Sequence, residues 1–198
     1  MALPRTALIF GGGRASRLGG VNKALLEVGG ARIIDRILEA VQPLVDECVL
    51  LTNDAALGGS ERLRLVFDAM PHAGVLPALS AGLAAATGEV CLAVASDMPF
   101  ISRAVFEHLL SFQADVVIPR TADYLEPMHA VYRRDAVATA IRAALERGDQ
   151  RMTSYFGDVR VREVDEDEWR NFDPLGLAFF NVNTPEDLVE ARRIASAP

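Results

Sequence analysis

Apolar residues recur along the chain in two alternating patterns. Short, nearly continuous apolar runs predict strands buried in a sheet, and they lie at residues 6–10, 47–52, 62–68, 89–97, 114–119 and 128–132. Between the runs, apolar residues at helical spacing predict helices at residues 31–44, 76–86, 102–112, 135–149 and 183–195. The last helix has clear start signals, with Thr184 as N-cap and Pro185 at the first helical position.

This alternation of strands and helices predicts an α/β fold with three layers, α/β/α, and a mostly parallel mixed sheet. No repeat, linker or low-complexity tract divides the chain, so we expect a single domain over residues 1–198. The charged run at residues 160–169 is typical of an edge strand, with Trp169 partly exposed. The least regular stretch, residues 149–176, is expected to be an insertion or a lid.

A glycine-rich, basic loop follows the first predicted strand. The segment "FGGGRASRLGGVNKALL", residues 10–26, combines glycines with Arg14, Arg17 and Lys23. Glycines let backbone N–H groups approach a ligand closely, and ligands of open α/β sheets bind beyond the carboxyl ends of the strands. The loop therefore predicts a polyphosphate site, with a surface loop of solvated charges as the alternative. It matches neither a P-loop nor a dinucleotide fingerprint.

A second candidate lies in "ASDMPF", residues 95–100, where Asp97 follows a buried strand. A carboxylate at that position points into the same crevice as the glycine loop. Because Mg²⁺ takes one or two carboxylates together with phosphate oxygens, we expect Asp97 to be a metal ligand, with a turn cap as the alternative. Asp68, at the end of another predicted strand, is a weaker candidate of the same kind.

Composition narrows the class of protein. The chain has 198 residues, is 51% hydrophobic and carries a formal net charge of −7. The absence of a basic block argues against nucleic-acid binding, and no apolar run is long enough to span a bilayer. The start of the sequence lacks the features of a signal peptide. Cys48 and Cys91 lie in apolar runs and are interpreted as buried thiols of a cytoplasmic protein.

The glycine loop, "GGGRASRLGGVNKALLEVGG", resembles the signature loop of nucleotidyltransferases with a glycosyltransferase-A-like fold. "GVLPALSAGL", "SDMPF", "EPMHAVY", "RGDQRMTSYF" and "FFNVNTPEDL" follow it in the family's order. Together these motifs, which cover nearly the whole chain, resemble the molybdenum cofactor guanylyltransferases. The resemblance implies the Rossmann-like fold of nucleotide-diphospho-sugar transferases.

The resemblance also implies site residues. The positions that match nucleotide contacts are Phe10, Gly11, Gly12, Gly13, Lys23, Thr52, Asn53, Asp68 and Asp97. Thr52 and Asn53 align equally well with one family position. The positions that match the acceptor side are His129, Arg151, Asn181 and Asn183. From the residues alone, a core hydrogen bond for His129, a solvated charge for Arg151 and a helix cap for Asn183 remain alternatives.

The implied reaction transfers GMP from GTP to molybdopterin, depends on Mg²⁺ and releases pyrophosphate. Lys23, Arg17 and Asp97 are the expected catalytic residues. Residues 1–100 would bind the nucleotide and residues 101–198 the acceptor, with transient contacts to proteins that supply molybdopterin or mature molybdoenzymes. "GVLPALSAGL" departs from the family's usual "GPLAGL" beginning. The alternatives are therefore CTP with molybdopterin, a sugar-phosphate nucleotidyltransferase of the same fold, or a nucleotide-binding protein without catalysis.

Overall fold

The computed structural model describes residues 3–11, 22–54, 57, 63–67, 74–122 and 124–196. The strands of this part are β1 (Arg5–Phe10), β2 (Glu27–Val28), β3 (Ala31–Arg32), β4 (Glu47–Leu51), β5 (Arg64–Val66), β6 (Val90–Ala95), β7 (Val116–Pro119), β8 (His129–Arg133) and β9 (Val161–Val164). Seven of them form one sheet in the order β5-β4-β1-β6-β8-β7-β9, and β2 and β3 form a separate hairpin.

The large sheet is mixed but mostly parallel, as predicted. β1 pairs in parallel with β4 and β6, β4 with β5, and β7 with β9. Within the described residues, β8 is the one strand of this sheet that runs in the opposite direction, antiparallel to both β6 and β7. The other strands therefore end on the same side of the sheet, which we call the carboxyl edge. At the opposite edge, the N–H of Glu89 donates to the carbonyl of Pro4 (2.8 Å).

Helices cover both faces of the sheet and give the predicted three layers. They are α1 (Ile33–Val41), α2 (Val75–Ala85), α3 (Arg103–Leu109), α4 (Arg134–Glu146), α5 (Glu166–Trp169) and α6 (Pro185–Ala195). One apolar cluster joins α1, α3 and α6 to one face, and a second joins α2 and α4 to the other. Successive residues of β1 serve the two clusters in turn, Ala7 and Ile9 on one side and Leu8 on the other. This explains why the strands read as continuous apolar runs.

The β2–β3 hairpin is not predicted from the sequence. Its two-residue turn consists of Gly29 and Gly30, with φ angles of 62° and 79°. Both angles lie in the left-handed region, which glycine adopts without a steric penalty, and two-residue hairpin turns favour such residues. The dipeptide Gly-Gly between Val28 and Ala31 is therefore the sequence signal that could have predicted the hairpin.

Three predicted elements differ in detail. The helix expected at residues 31–44 ends at Val41 and continues as a 3-10 turn, Gln42–Leu44, which contains Pro43. The stretch 149–176 contains β9 and α5 as well as irregular backbone. Trp169 is buried (2% exposed), and its indole N–H donates to the carbonyl of Arg120 (3.0 Å), so the expectation of partial exposure is wrong.

In the part of the chain that the structure describes, no helix has the length and apolar character needed to cross a membrane. Cys48 and Cys91 are both buried free thiols, as predicted. Burial raises the pKa of Cys48 to about 11 and that of Cys91 to about 12.

Candidate active site

The site lies at the carboxyl edge, where β1, β4 and β6 end side by side. The N–H of Gly11 donates to the carbonyl of Leu51 (2.8 Å), and the N–H of Ser96 donates to that of Phe10 (3.2 Å). The strand order reverses here, because β4 and β5 lie on one side of β1 and β6 lies on the other. Such a switch point opens a crevice between neighbouring strand ends, and open α/β proteins bind ligands there.

Gly11 allows the end of β1 to approach β4 closely. A Cβ atom at this position would lie 3.0 Å from Cδ1 of Leu50, 3.1 Å from Cβ of Thr52 and 3.2 Å from the carbonyl oxygen of Leu51. A larger residue would therefore push the start of the glycine loop away from the strand ends. Phe10, the preceding residue, ends β1, and its backbone carbonyl and ring serve the fold by bonding Ser96 and packing against α2.

Lys23 lies on a short 3-10 helix, Lys23–Leu25, which reaches the crevice from the end of the glycine loop. Asn22 fixes this helix: its side-chain oxygen accepts from the N–H of Ala24 (3.0 Å), and its amide donates to the carboxylate of Asp54 (3.1 Å). Asn22 is 7% exposed, so both bonds are formed in a nearly water-free position. The direction in which Lys23 points is thus set by an N-cap and by the loop after β4.

The ammonium group of Lys23 donates to two acceptors from distant parts of the chain. Its Nζ lies 3.0 Å from Oδ2 of Asp97 and 2.5 Å from Oδ1 of Asn183. The side chains of Lys23 and Asp97 are 17% and 21% exposed, so the ion pair is largely shielded yet open to a ligand on one side. The structure therefore brings together Lys23, Asp97 and Asn183, three of the residues predicted from the sequence.

The loop after β6 is tied to the segment before α6. The N–H of Val182 donates to the carbonyl of Asp97 (2.9 Å), which adds a short backbone connection beside the strand end. At the start of α6, the N–H groups of Asn183 and Thr184 both donate to the carboxylate of Asp187 (2.8 Å each). These bonds, the one from Asn183 first, hold the pKa of Asp187 below its usual value. The backbone that carries Asn183 is therefore fixed on both sides.

Arg36, on α1, connects the elements that carry Lys23 and Asp97. Its guanidinium donates to the carbonyl of Pro99 (2.8 Å) and to that of Val28 (3.4 Å), and it lies over the ring of Phe100 (5.4 Å). Val28 belongs to the hairpin after Lys23, and Pro99 belongs to the loop after Asp97. Arg36 thus links the two sides of the crevice from below.

The structure distinguishes the two candidates at the end of β4. Thr52 is buried, its N–H donates to the carbonyl of Val66 (3.0 Å), and its hydroxyl accepts from the N–H of Asp54 (3.1 Å). Asn53 is exposed at the same edge. Of the two, Asn53 is the residue whose side chain can reach a ligand.

The predicted acceptor residues are not all together. Asn181, next to the site segment, donates its amide to the carbonyl of Phe179 (3.0 Å). Arg151 lies in the loop after α4, where it pairs with Asp149 (2.5 Å), and its side chain is 80% exposed. The structure therefore leaves Arg151 in solvent, paired with its neighbour, rather than among the contacts of Lys23. Gly12, Gly13, Arg17 and Asp68 lie outside the described residues.

His129 is a core residue in this structure. It is fully buried, and its ring stacks on Phe106 (centroids 4.5 Å apart, 6° between planes) and packs against Phe179 (4.8 Å). Within the described part, neither ring nitrogen has a hydrogen bond of good geometry. Burial lowers the pKa of His129 to about 3, with the backbone of Ala178 acting weakly in the other direction. Direct contact of His129 with an acceptor requires Phe179 to move.

The oxygen groups at the crevice suit a hard cation. Asp97 presents a carboxylate, and one or two carboxylates with phosphate oxygens are the usual ligands of Mg²⁺ in proteins. Among the described residues there is no group of three or more His, Cys, Asp or Glu side chains that could hold a metal ion. A cation at Asp97 therefore takes its remaining ligands from the nucleotide or from water.

Fold and site together define the class: an α/β nucleotidyltransferase with its site at the switch point of the sheet. A family model for the MobA-like NTP transferase domain matches residues 7–163. A protein of Pelotomaculum thermopropionicum named "Probable molybdenum cofactor guanylyltransferase" is 36% identical over 98% of this chain and 94% of its own length. The chain belongs to this family, the molybdenum cofactor guanylyltransferases with a MobA-like NTP transferase domain.

Other relatives agree. A molybdenum cofactor guanylyltransferase of Desulfosudis oleivorans is 31% identical over 97% of this chain and 96% of its own length. The crystal structure of molybdopterin-guanine dinucleotide biosynthesis protein A from Archaeoglobus fulgidus superposes with a TM-score of 0.78 at 28% identity, covering 96% of this chain and 98% of that one. A cytidylyltransferase of Thermus thermophilus (TM-score 0.71, 19% identity, full coverage of both chains) shares the fold.

Two residues that build the site, Asn22 and Arg36, are not among those predicted from the sequence. Asn22 has a signal, since asparagine directly before a short helical run is a common N-cap. Arg36 has none, because its partners are backbone carbonyls of distant loops, which no local pattern identifies.

Proposed function

We propose that this protein transfers GMP from GTP to molybdopterin, forming molybdopterin guanine dinucleotide and pyrophosphate. The observation that carries the proposal is the Lys23–Asp97 pair at the strand ends beside the glycine loop, in a chain of this family. The names of the similar proteins of Pelotomaculum and Desulfosudis support guanylyl transfer for cofactor synthesis.

The reaction we propose is an in-line displacement. A terminal phosphate oxygen of molybdopterin forms a bond to the α-phosphorus of GTP while the bond from that phosphorus to the bridging oxygen breaks. The pyrophosphate leaves with the electron pair of that bond. Because a phosphate nucleophile is already ionised at neutral pH, no strong general base is required, and the protein's contribution is positioning and charge neutralisation.

Lys23 has the donors for the phosphate groups. It is already held by two acceptors, and its ammonium offers a third N–H to a phosphate oxygen. The loop from Gly11 onward, including Gly12 and Gly13, would supply backbone N–H groups, with Arg17 as a further cation. Asp97 would hold Mg²⁺, which offsets negative charge on the phosphate oxygens.

We assign the nucleotide mainly to residues 1–100 and the acceptor mainly to residues 101–198. Asn53 and Asp68 are the proposed contacts on the base and ribose side. Asn181 is the proposed acceptor contact nearest to Lys23, and Arg151 would reach the acceptor only after leaving Asp149. His129 would act on the acceptor side through the packing of Phe179. Molybdopterin supply and product delivery would involve transient contacts with other proteins of the pathway.

The direct test is incubation of the protein with GTP, Mg²⁺ and molybdopterin, followed by mass analysis of the products. We expect molybdopterin guanine dinucleotide and pyrophosphate, and no product when Mg²⁺ is chelated. A thermal-shift panel with GTP, CTP, ATP and UTP, each with Mg²⁺, tests the base. Selective stabilisation by CTP would replace guanylyl with cytidylyl transfer in the proposal.

A further inference from the structure

We propose that Asn183 is a positioning residue for Lys23: its side-chain oxygen holds the ammonium group in place for the nucleotide. The identity of that nucleotide as GTP rests on the function proposed above, whereas the contact between the two side chains does not. The sequence places Asn183 on the acceptor side, so this inference moves it to the nucleotide side of the reaction.

The geometry of Lys23 leads to this assignment. An ammonium group has three N–H donors. Two of them are directed to Oδ2 of Asp97 (3.0 Å) and Oδ1 of Asn183 (2.5 Å), which leaves one for an incoming anion. Lys23 comes from the end of the glycine loop, while Asn183 precedes α6, 160 residues later in the chain. The contact therefore connects the two halves of the sequence at the atom that would meet the phosphates.

The two acceptors of Lys23 differ in charge, and this difference gives Asn183 its role. Asp97 neutralises the lysine, and it is also the carboxylate best placed to bind a cation. Asn183 fixes the position of the ammonium without cancelling its charge. A neutral anchor keeps Lys23 in place and fully charged toward phosphate oxygens when the carboxylate of Asp97 is engaged elsewhere.

The position of the anchor is set by the fold. The N–H of Asn183 donates to the carboxylate of Asp187 (2.8 Å), and the N–H of the preceding Val182 donates to the carbonyl of Asp97 (2.9 Å). Only the backbone of Asn183 takes part in these bonds, so its side chain is not needed for the start of α6. Substitution of the side chain therefore tests the contact with Lys23 without removing the helix cap.

The sequence makes the contact easy to measure. Lys23 is the only lysine among the 20 Lys and Arg residues, so an amine-acylating reagent modifies Lys23 and the N-terminal amine alone. The acylation rate of Lys23, measured by mass spectrometry against the N-terminus as internal standard, reports how firmly its acceptors hold it. This measurement needs no nucleotide. The variants are Asn183→Ala and Asn183→Asp, and the matched control is Asn171→Ala, an exposed asparagine that bonds only to backbone carbonyls of its own turn.

We expect Asn183→Ala to raise the acylation rate of Lys23 about 3- to 10-fold, as the loss of one hydrogen bond to a charged group at a partly exposed site implies. Asn183→Asp should lower the rate, because a second carboxylate holds the ammonium more strongly. General loosening of the site would instead raise the rate in both variants. Equal rates in wild type and Asn183→Ala, or a raised rate in Asn183→Asp, would overturn the proposal.

The second measurement is the dissociation constant of Mg²⁺–GTP in the absence of molybdopterin. Asn183→Ala and Asn183→Asp should both weaken binding about 3- to 10-fold, and neither should weaken it further in a Lys23→Met background. Normal nucleotide affinity, with a defect only in the KM for molybdopterin, would make Asn183 an acceptor contact and refute its positioning role. If wild type does not bind GTP, the proposed function fails, while the acylation rates still decide the role of Asn183.

Discussion

At the scale of single residues, the identity of position 23 matters as much as its charge. The chain uses arginine at every other basic position, yet Lys23 occupies the site. An ammonium directs three donors tetrahedrally to Asp97, Asn183 and a phosphate, whereas a guanidinium is planar and larger. The exchange of lysine for arginine is therefore not conservative here.

We predict that Lys23→Arg lowers kcat/KM about 10²- to 10³-fold, close to the loss of one transition-state contact, and leaves the melting temperature nearly unchanged. Steady-state kinetics with GTP and molybdopterin measure this. The matched control is Arg193→Lys, in an exposed pair with Glu190, which should keep full activity. Activity of Lys23→Arg within a few-fold of wild type would argue against the assigned role.

His129 gives a prediction about pH. Its pKa is about 3 in the folded protein, against 6.5 for an exposed histidine. Between these values the unfolded state binds more protons than the folded state. The free energy of unfolding therefore falls as the pH decreases from about 6.5 toward 3, by up to about 1.4 kcal/mol per pH unit from this group.

We predict that His129→Phe removes this contribution, because a phenyl ring fits between Phe106 and Phe179 and carries no nitrogen to protonate. Urea unfolding of both proteins at several pH values between 7 and 4 gives the comparison. The variant should become more stable than wild type as the pH falls. Parallel pH curves would contradict the burial of an uncharged imidazole.

At the scale of elements, one glycine far from the site fixes how β1 and β6 begin. A Cβ atom at Gly88 would lie 2.7 Å from the backbone of Arg5 and of Thr6, and the N–H of Gly88 donates to the hydroxyl of Thr6 (2.9 Å). These contacts involve backbone, which cannot move aside without shifting the strand.

Gly88→Ala should therefore lower the free energy of unfolding by about 1–3 kcal/mol, a usual cost of overpacking. Because Gly88 precedes β6 at the edge opposite Asp97, kcat of the folded fraction should not change. Denaturant titration and kinetics at low temperature measure the two effects. Gly157→Ala is the matched control, since nothing lies within 4 Å of the added methyl group, and it should change stability by no more than about 0.5 kcal/mol.

The predictability of the elements follows from how local their causes are. The start of α6 is confirmed in full, because its cap, Thr184 with Asp187, is a pattern of neighbouring residues. The burial of Trp169 is not predictable from its acidic neighbours, since Phe179 and the carbonyl of Arg120 hold it from distant segments. In the site, the strand ends could be predicted, while the contact between Lys23 and Asn183 could not.

At the scale of the whole molecule, two buried thiols and one tryptophan report on cooperativity. Cys48 and Cys91 lie on opposite faces of the sheet in the first half of the chain, and Trp169, the single tryptophan, lies in the second half. Because the thiolate is the reactive form and both thiols have a raised pKa, neither should react while the protein is folded.

We predict that residues 1–198 unfold as one unit. Labelling of Cys48, labelling of Cys91 and the fluorescence of Trp169 should then share one denaturant midpoint, since all three groups pack on the same sheet. Pulse labelling with mass spectrometry and equilibrium fluorescence provide the three curves. Separate midpoints for the cysteines and for Trp169 would instead divide the chain into two domains.

The strands β1 and β6 begin at the edge opposite the crevice, where Pro4 bonds to Glu89. A carrier or solid support joined just ahead of β1 would therefore sit on the back of the molecule. Immobilised in this orientation, the protein would present Lys23 and its neighbours to the bulk solution, where large pterin-carrying partners could dock without obstruction. Coupling through lysine amines would instead attach the support at the crevice itself.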